Sequence, residues 1–437
     1  MTRCFSAPTT PRASTISFSL LCALIIVLSV PLHASAATLK VDDDLGQCPT
    51  AAYTTIQAAV LAAAAGDTIK VCPGTYSGQV VIDNSLKIKG KAPKAKTCNT
   101  LVTPDAALHS IYQAPVALGL AGIGIDVHAA NVTIDSLVIT LAGETGIRTD
   151  PSFSKFTLKK SVLIANSDGI QFHSSAATKG SDKSSVKSNC FYQNTLGGIR
   201  TRYGLDDATI SKNFFFGTVA AAAIIVDQEP GITNDHLTVT GNKSQGDSTF
   251  AVILGTRDSV FAKNTINATE GTAIFVGGNN VNLEITGNTV TNAGTRGIRF
   301  NTTPFPASPN VASTGVQVSK NVIDNAGVNG IAVDSAAGES TLVSSIIEKN
   351  TVTNSGLSRG SGDGIRIEDP TASGANGANR IEGNKISGSF NHDCHDATTG
   401  TGTAGTANNW SGGGDNTATT QNVADLCFTG AANGTAE

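Results

Sequence analysis

The chain has few bulky fillers: one Met, one Trp and five Tyr among 437 residues. Its core must therefore be built mostly from smaller side chains. After residue 30 it has no apolar run long enough to cross a bilayer as a helix. It has no basic excess either. The formal net charge is −4, from 30 Lys and Arg against 34 Asp and Glu, which argues against nucleic acid as the main partner. No Cys-x-x-Cys pair and no Cys/His cluster has zinc spacing. Glycine is abundant, at 46 residues, which suits many short strands joined by tight turns.

The first residues read as a secretory signal. Arg3 and Arg12 supply positive charge, Ile16 to Val30 is an apolar run, and Ala34-Ser35-Ala36 is a small-residue cleavage site. Cleavage after residue 36 predicts a secreted, periplasmic or cell-surface chain with no membrane anchor left. It would carry 28 basic against 34 acidic residues, a net charge of −6. Six cysteines remain: Cys48, Cys72, Cys98, Cys190, Cys394 and Cys427. An even number in an exported protein predicts disulfides. Six cysteines allow about 15 pairings. Cys48–Cys72 and Cys394–Cys427 are preferred because each staples one end of the domain, and Cys98–Cys190 is the remainder.

One short phrase recurs. It reads Gly-Ile-Gly-Ile at 122–125, Gly-Ile-Arg-Thr at 146–149 and 198–201, Gly-Ile-Gln-Phe at 169–172, and Gly-Ile-Arg-Ile at 364–367. Related copies begin at Ala223, Ala251, Ala273, Gly297 and Gly330. From 146 to 364 the step averages about 27 residues and varies from roughly 22 to 34. A helical solenoid would hold its period more tightly; variable steps with constant strands mean constant coils with unequal loops. Within each phrase the apolar residues alternate, which predicts strands with one face inside. A second column, Asn189, Asn213, Asn242, Asn264, Asn288, Asn321, Asn350 and Asn384, falls once per coil between two strands. Asparagine tolerates a left-handed corner and can bond to the asparagine stacked above and below. These residues therefore read as structural.

Strand, corner, strand and loop, stacked in parallel, predict an all-β parallel β-helix. Right-handed crossovers are the rule for parallel strands, so a right-handed solenoid is expected. About ten coils at roughly 4.8 Å each give a rod near 48 Å long. Residues 37–66 read as an N-terminal cap with a short helix after Thr54 or Thr55, ended by Gly66. Residues 67–390 form the helix proper. Residues 391–437, rich in Gly, Thr and Asn, close it through Cys394–Cys427 with Trp410 as a plug.

The Thr-Thr-Ile-Gln-Ala-Ala segment at 54–59, Gly-Asp-Thr-Ile at 66–69, Pro-Gly-Thr-Tyr at 73–76 and the coils that follow resemble the secreted right-handed β-helix proteins of the pectin-lyase-like superfamily. The resemblance covers roughly residues 40–390 and implies the fold and, more loosely, action on polysaccharide. Motifs of its best-defined enzymes are incomplete. Asn166-Ser167-Asp168 is similar to one polygalacturonase element, but Gly-His-Gly and Arg-Ile-Lys are missing. Asp-Phe-x-Phe-Gly and Asp-Pro-His-Asp are missing as well.

If the apolar ladder faces in, the residues between face out. The first five coils then expose Asp126, His128, Arg148, Asp150, Gln171, His173, Arg200, Arg202 and Asp227 on one sheet, with Tyr203 just beyond. The expected reading is an acidic-polysaccharide groove. Arg148, Gln171, Tyr203 and Asp227 would bind substrate, because guanidinium groups hold uronate carboxylates through paired bonds. Arg200, Arg202, His173 and Asp150 would carry catalysis. Asp126 and Asp150 would bind Ca²⁺ if a metal is used. β-Elimination fits better than hydrolysis: Asp150 and Asp227 lie three coils apart, roughly 14 Å, too far for a carboxylate pair. Asp334, Arg366 and Glu368 form a smaller patch, read as solvated surface. The alternative is a non-enzymatic surface or matrix protein in which the rod itself is the function.

Overall fold

In the computed structural model, residues 36–427 are described, apart from 95–97, 99–102, 115–121, 151–152, 174–182, 203, 228–232, 302–311, 335–340, 369–375 and 411–415. The segment 1–36, expected to be a signal, lies outside that range except at its last residue. The described chain winds through three long parallel sheets of 13, 12 and 12 strands. In a typical coil Thr133–Asp135 adds to the first sheet, Val138–Thr140 to the second and Thr145–Thr149 to the third. All ten copies of the recurring phrase fall in the third sheet. Val80–Ile82 and Cys394–Asp396 extend it at the two ends, so its strands number 12 rather than about ten.

One continuous apolar core fills the rod. The first sheet contributes Ile134, Leu158 and Ile210, the second Ile139, Leu163 and Phe191, and the third Ile147, Ile170 and Ile199, all fully or almost fully buried. Each comes from the inward face of a short alternating strand. The glycine of the phrase has a packing reason. A Cβ on Gly169 would lie 2.7 Å from the Phe191 ring, and one on Gly198 would lie 2.7 Å from the Phe215 ring. These two rings stack 4.9 Å apart inside the rod. In the next coil Ser244 replaces the phenylalanine and Ala223 replaces the glycine.

The frame slips once. Read from Ala251, the phrase places Val252 and Leu254 inside and Ile253 outside. The register instead pairs Ile225 with Val252 and Val226 with Ile253. Phe250 occupies the glycine position, Ala251 and Ile253 point inward, and Val252 joins the outer face.

The asparagine column is a ladder. From Asn213 onward each Oδ1 accepts from the backbone N–H and side-chain amide of the preceding coil's asparagine, as Asn264 does from Asn242 at 3.0 Å for both, while Asn189 accepts from Ser161 N. Asn416 adds a ninth member. The left-handed corner falls elsewhere than expected. The residue before each asparagine takes it: Lys212 (φ 55°), Gly241 (63°), Lys263 (55°), Gly287 (63°), Lys320 (56°) and Lys349 (53°). The asparagine keeps an ordinary backbone so that its amide stays aligned with its neighbours. A shorter ladder, Asn166 to Asn194, runs along the corner between the second and third sheets. Further down that corner buried Asp247 accepts from Thr218 N at 2.8 Å and Ser244 Oγ at 2.6 Å.

The ends are covered. Thr38–Val41 pairs with Thr68–Val71, so the N-terminal segment contributes a strand of its own. Helix Ile56–Ala62 begins at Thr55, whose hydroxyl accepts from Ala58 N. Cys48 is bonded to Cys72. At the other end Cys394 is bonded to Cys427, and Trp410 is fully buried with its ring N–H donating to Asp396 at 2.7 Å. Cys98–Cys190 sits mid-rod, in a second apolar cluster outside the second sheet that contains Val138, Val162 and Tyr192.

Candidate functional site

The outer face of the third sheet carries the polar residues picked out above. Register aligns Asp126, Arg148, Gln171 and Arg200 in one column. His173, Arg202 and Asp227 align in the next. Tyr203 lies outside the described residues. The columns hold two tight charge clusters rather than a row of free groups.

In the first cluster Arg148 forks onto Asp126, with Nε–Oδ1 at 3.1 Å and Nη2–Oδ2 at 2.6 Å. The bond to Asp126 raises the Arg148 pKa above its ordinary value, with burial opposing. His128 Nε2 lies 3.2 Å from the same carboxylate, and its Nδ1 lies 3.3 Å from Asp83. Asp126 is thus a buried counter-ion. Both Asp126 oxygens already accept from Arg148, so a Ca²⁺ ion held by Asp126 and Asp150 would share that carboxylate with a guanidinium.

The second cluster gathers around Asp168. This carboxylate is fully buried and accepts from Gln171 Nε2 at 2.6 Å and Arg200 Nη1 at 3.3 Å. Burial raises its pKa, opposed by Arg200 and Gln171. Arg200 also reaches Asp227, at 3.6 Å. Gln171 is buried and Arg200 largely so. Both are drawn toward the protein's own carboxylates, and Asp168 is the residue that sequence reading underrated.

At the first cluster Asp126, His128, Arg148, Asp150, Phe153 and His173 line a pocket of about 430 Å³. His173 stands opposite Arg202 on the next strand. Burial lowers the His173 pKa, and the Arg202 and Arg148 charges lower it further. Its imidazole is therefore a neutral base at neutral pH. Beyond Arg200 the face turns apolar, through Ile225, Val252 and Phe275, before the guanidinium of Arg299 lies 5.9 Å from the Phe275 ring centroid.

At the far end the patch read as solvated surface is a built cluster. Arg299 and Arg296 both reach Asp334, at 2.7 and 3.3 Å. Arg366 bridges Asp363, which is fully buried, and the partly exposed Glu368. Asp363 comes from the loop before its strand, outside the alternation, so the strand pattern gave no sign of it.

The profile of the right-handed β-helix region matches residues 177–310. No curated protein sequence matches the chain. Among solved structures, a catalytic-domain variant of a GH87 alpha-1,3-glucanase in complex with nigerose is 14% identical with a TM-score of 0.59. The alignment covers 78% of this chain and 64% of that domain, so the chain spans less than two thirds of it. The catalytic unit of a GH87 alpha-1,3-glucanase from Streptomyces thermodiastaticus strain HF3-3 is 14% identical with a TM-score of 0.53, covering 88% of this chain and 69% of that one. A mannuronic acid specific polysaccharide family 6 lyase from human gut microbiota is 13% identical with a TM-score of 0.50, covering 83% and 81%. These likenesses and the three stacked sheets define the class: the chain is a right-handed parallel β-helix.

Proposed function

We propose that this protein is exported and binds an acidic polysaccharide along the outer face of its third sheet, cleaving it by β-elimination at the pocket beside His173. The observation that carries the reading is the His173 imidazole, on the strand between those of Arg148 and Arg202 and at the wall of a pocket. In that arrangement Arg202 pairs with the uronate carboxylate and acidifies the adjacent ring C–H. His173 takes that proton, a C=C bond forms, and the C–O bond to the leaving sugar breaks. The departing oxygen takes up a proton. Lyase and glucanase folds of the same architecture support a polysaccharide partner in general terms.

A second reading, a non-catalytic binding or matrix protein, is favoured by one observation. Arg148 and Arg200 are already neutralised by Asp126, Asp168 and Asp227. The test is incubation with a panel of uronate polymers, with and without Ca²⁺, followed by ultraviolet absorbance of unsaturated ends and by affinity electrophoresis. Unsaturated product that disappears in His173→Ala supports elimination. Retention without product supports the second reading. Silence in both assays overturns the polysaccharide proposal. Arg202→Ala should abolish retention on uronates, and unchanged mobility would misplace the groove.

A further inference from the structure

His392 and His395 take no part in the site just described. Both face Asp363, which comes from the preceding coil. His392 Nδ1 lies 3.2 Å from Asp363 Oδ1, and His395 Nδ1 lies 3.7 Å from Oδ2. One donor atom from each of the three residues lies within 4.8 Å of the other two. The three side chains are almost closed to solvent, with 11% of His392, 13% of His395 and none of Asp363 exposed. His395 Nδ1 is buried and has no hydrogen-bond partner. A buried polar atom left this way costs free energy unless something supplies the missing bond.

The carboxylate is also fixed in direction. Arg366 Nη1 donates to Asp363 Oδ2 at 2.6 Å, and the His392 backbone N–H donates to Oδ1 at 2.9 Å. Metal-ligating carboxylates are commonly oriented by such outer bonds. Two carboxylates, Asp363 and Glu368, face one guanidinium, Arg366, which leaves the cluster short of positive charge.

We propose that Asp363, His392 and His395 form a binding site for a divalent transition-metal ion of the zinc type, which ties the last coils of the rod together. Two bonds of roughly 2.0–2.1 Å at a tetrahedral angle separate their donor atoms by about 3.4 Å; the 3.2 and 3.7 Å separations, each to a different Asp363 oxygen, lie near that value. Two imidazole nitrogens and one carboxylate oxygen suit zinc and its neighbours. Calcium, which takes six to eight oxygens, is excluded by the same donor set. The ion would span successive strands, Ile365–Ile367 and Cys394–Asp396, beside the Cys394–Cys427 bond. It would act there as a second staple. The His-Asp-Cys-His run at 392–395 shows two of the ligands in the sequence. The third lies 29 residues earlier, which is why spacing alone does not reveal the site.

The test uses untagged protein, stripped with chelator and titrated with Zn²⁺ by calorimetry, with metal analysis after dialysis. One zinc per chain is expected, with affinity at least tenfold lower in His392→Ala and in His395→Ala, and unchanged in 100-fold excess Ca²⁺. His236→Ala is the control, because His236 stands near Asp207 and Asp258 on an exposed corner. Circular dichroism checks that each variant is folded. If both variants fail to fold, the visible absorption of the Co²⁺-loaded wild type reports whether nitrogen and oxygen ligands surround the ion. Three results would overturn the proposal: a folded wild type that retains no zinc, affinity unchanged in the two histidine variants, or loss of zinc in His236→Ala alone.

Discussion

Replacing Asn264 with alanine tests the asparagine ladder at its middle. The side chain is almost fully buried. Its Oδ1 accepts from Asn242 N and Asn242 Nδ2, and its Nδ2 donates to Val239 O at 3.1 Å and to Asn288 Oδ1 at 2.9 Å. Removal takes that partner from three buried groups: the Asn242 backbone N–H, the Asn242 amide and the Val239 carbonyl. The Asn288 oxygen keeps its bond from the Asn264 backbone. Each stranded group costs about 1–3 kcal/mol, and partial relaxation brings the expected total to about 3–5 kcal/mol. Guanidinium denaturation followed by circular dichroism measures it, with the midpoint lowered and the slope unchanged. Asn84→Ala, at an exposed position without a left-handed backbone, is the comparison and should stay within about 0.5 kcal/mol. Similar costs for the two substitutions would refute the ladder as a stabilising element and would reopen a ligand role for the column.

Three further outcomes follow from the packing and the charges. Gly198→Ala forces a methyl against the Phe215 ring and should cost about 1–3 kcal/mol; adding Phe215→Leu should recover part of that loss, and strict additivity by denaturation would show that ring and glycine do not touch. Burial raises the Asp247 pKa to about 6 from 3.8. The folded chain therefore holds this proton while the unfolded chain has lost it, so stability falls as pH rises from about 4 to 6. The Asp247 contribution is about 3 kcal/mol, and Asp247→Asn should flatten that segment of the pH–stability curve measured by denaturation. His173 has a pKa below its usual 6.5; if it is the base, elimination should hold as pH falls through 6.5 and fail only at lower pH, and a profile that breaks above 6.5 would exclude it.

The alternation of each Gly-Ile phrase was enough to identify the inner and outer faces of the third sheet, because a strand repeats every two residues and the core accepts only its apolar side. It misled at 250–254, where Phe250 fills the glycine position and a run of apolar residues hides the frame. The asparagine column was legible as structural, yet the left-handed corner falls one residue earlier, a choice set by ladder geometry that composition does not express. At the site, the column Asp126, Arg148, Gln171 and Arg200 was readable, but its pairing was not. Whether an arginine faces solvent or a carboxylate depends on residues such as Asp168, whose place before the strand breaks the period. Asp363 eluded the pattern for the same reason, and its histidine partners lie a full coil away.

The ladder also has a direction. From Asn189 to Asn384 each asparagine passes its backbone N–H and one amide hydrogen to the next coil's asparagine, and its other amide hydrogen back to a carbonyl of the coil before, so the Oδ1 acceptors line up in one direction along the rod. The interval from one asparagine to the next is therefore a closed module, with one donor face and one acceptor face whatever the length of its loops. A gene for such a protein can gain or lose whole modules and still join every face to a matching one. Loop length, and with it whatever the loops bind, is thereby released from the demands of folding.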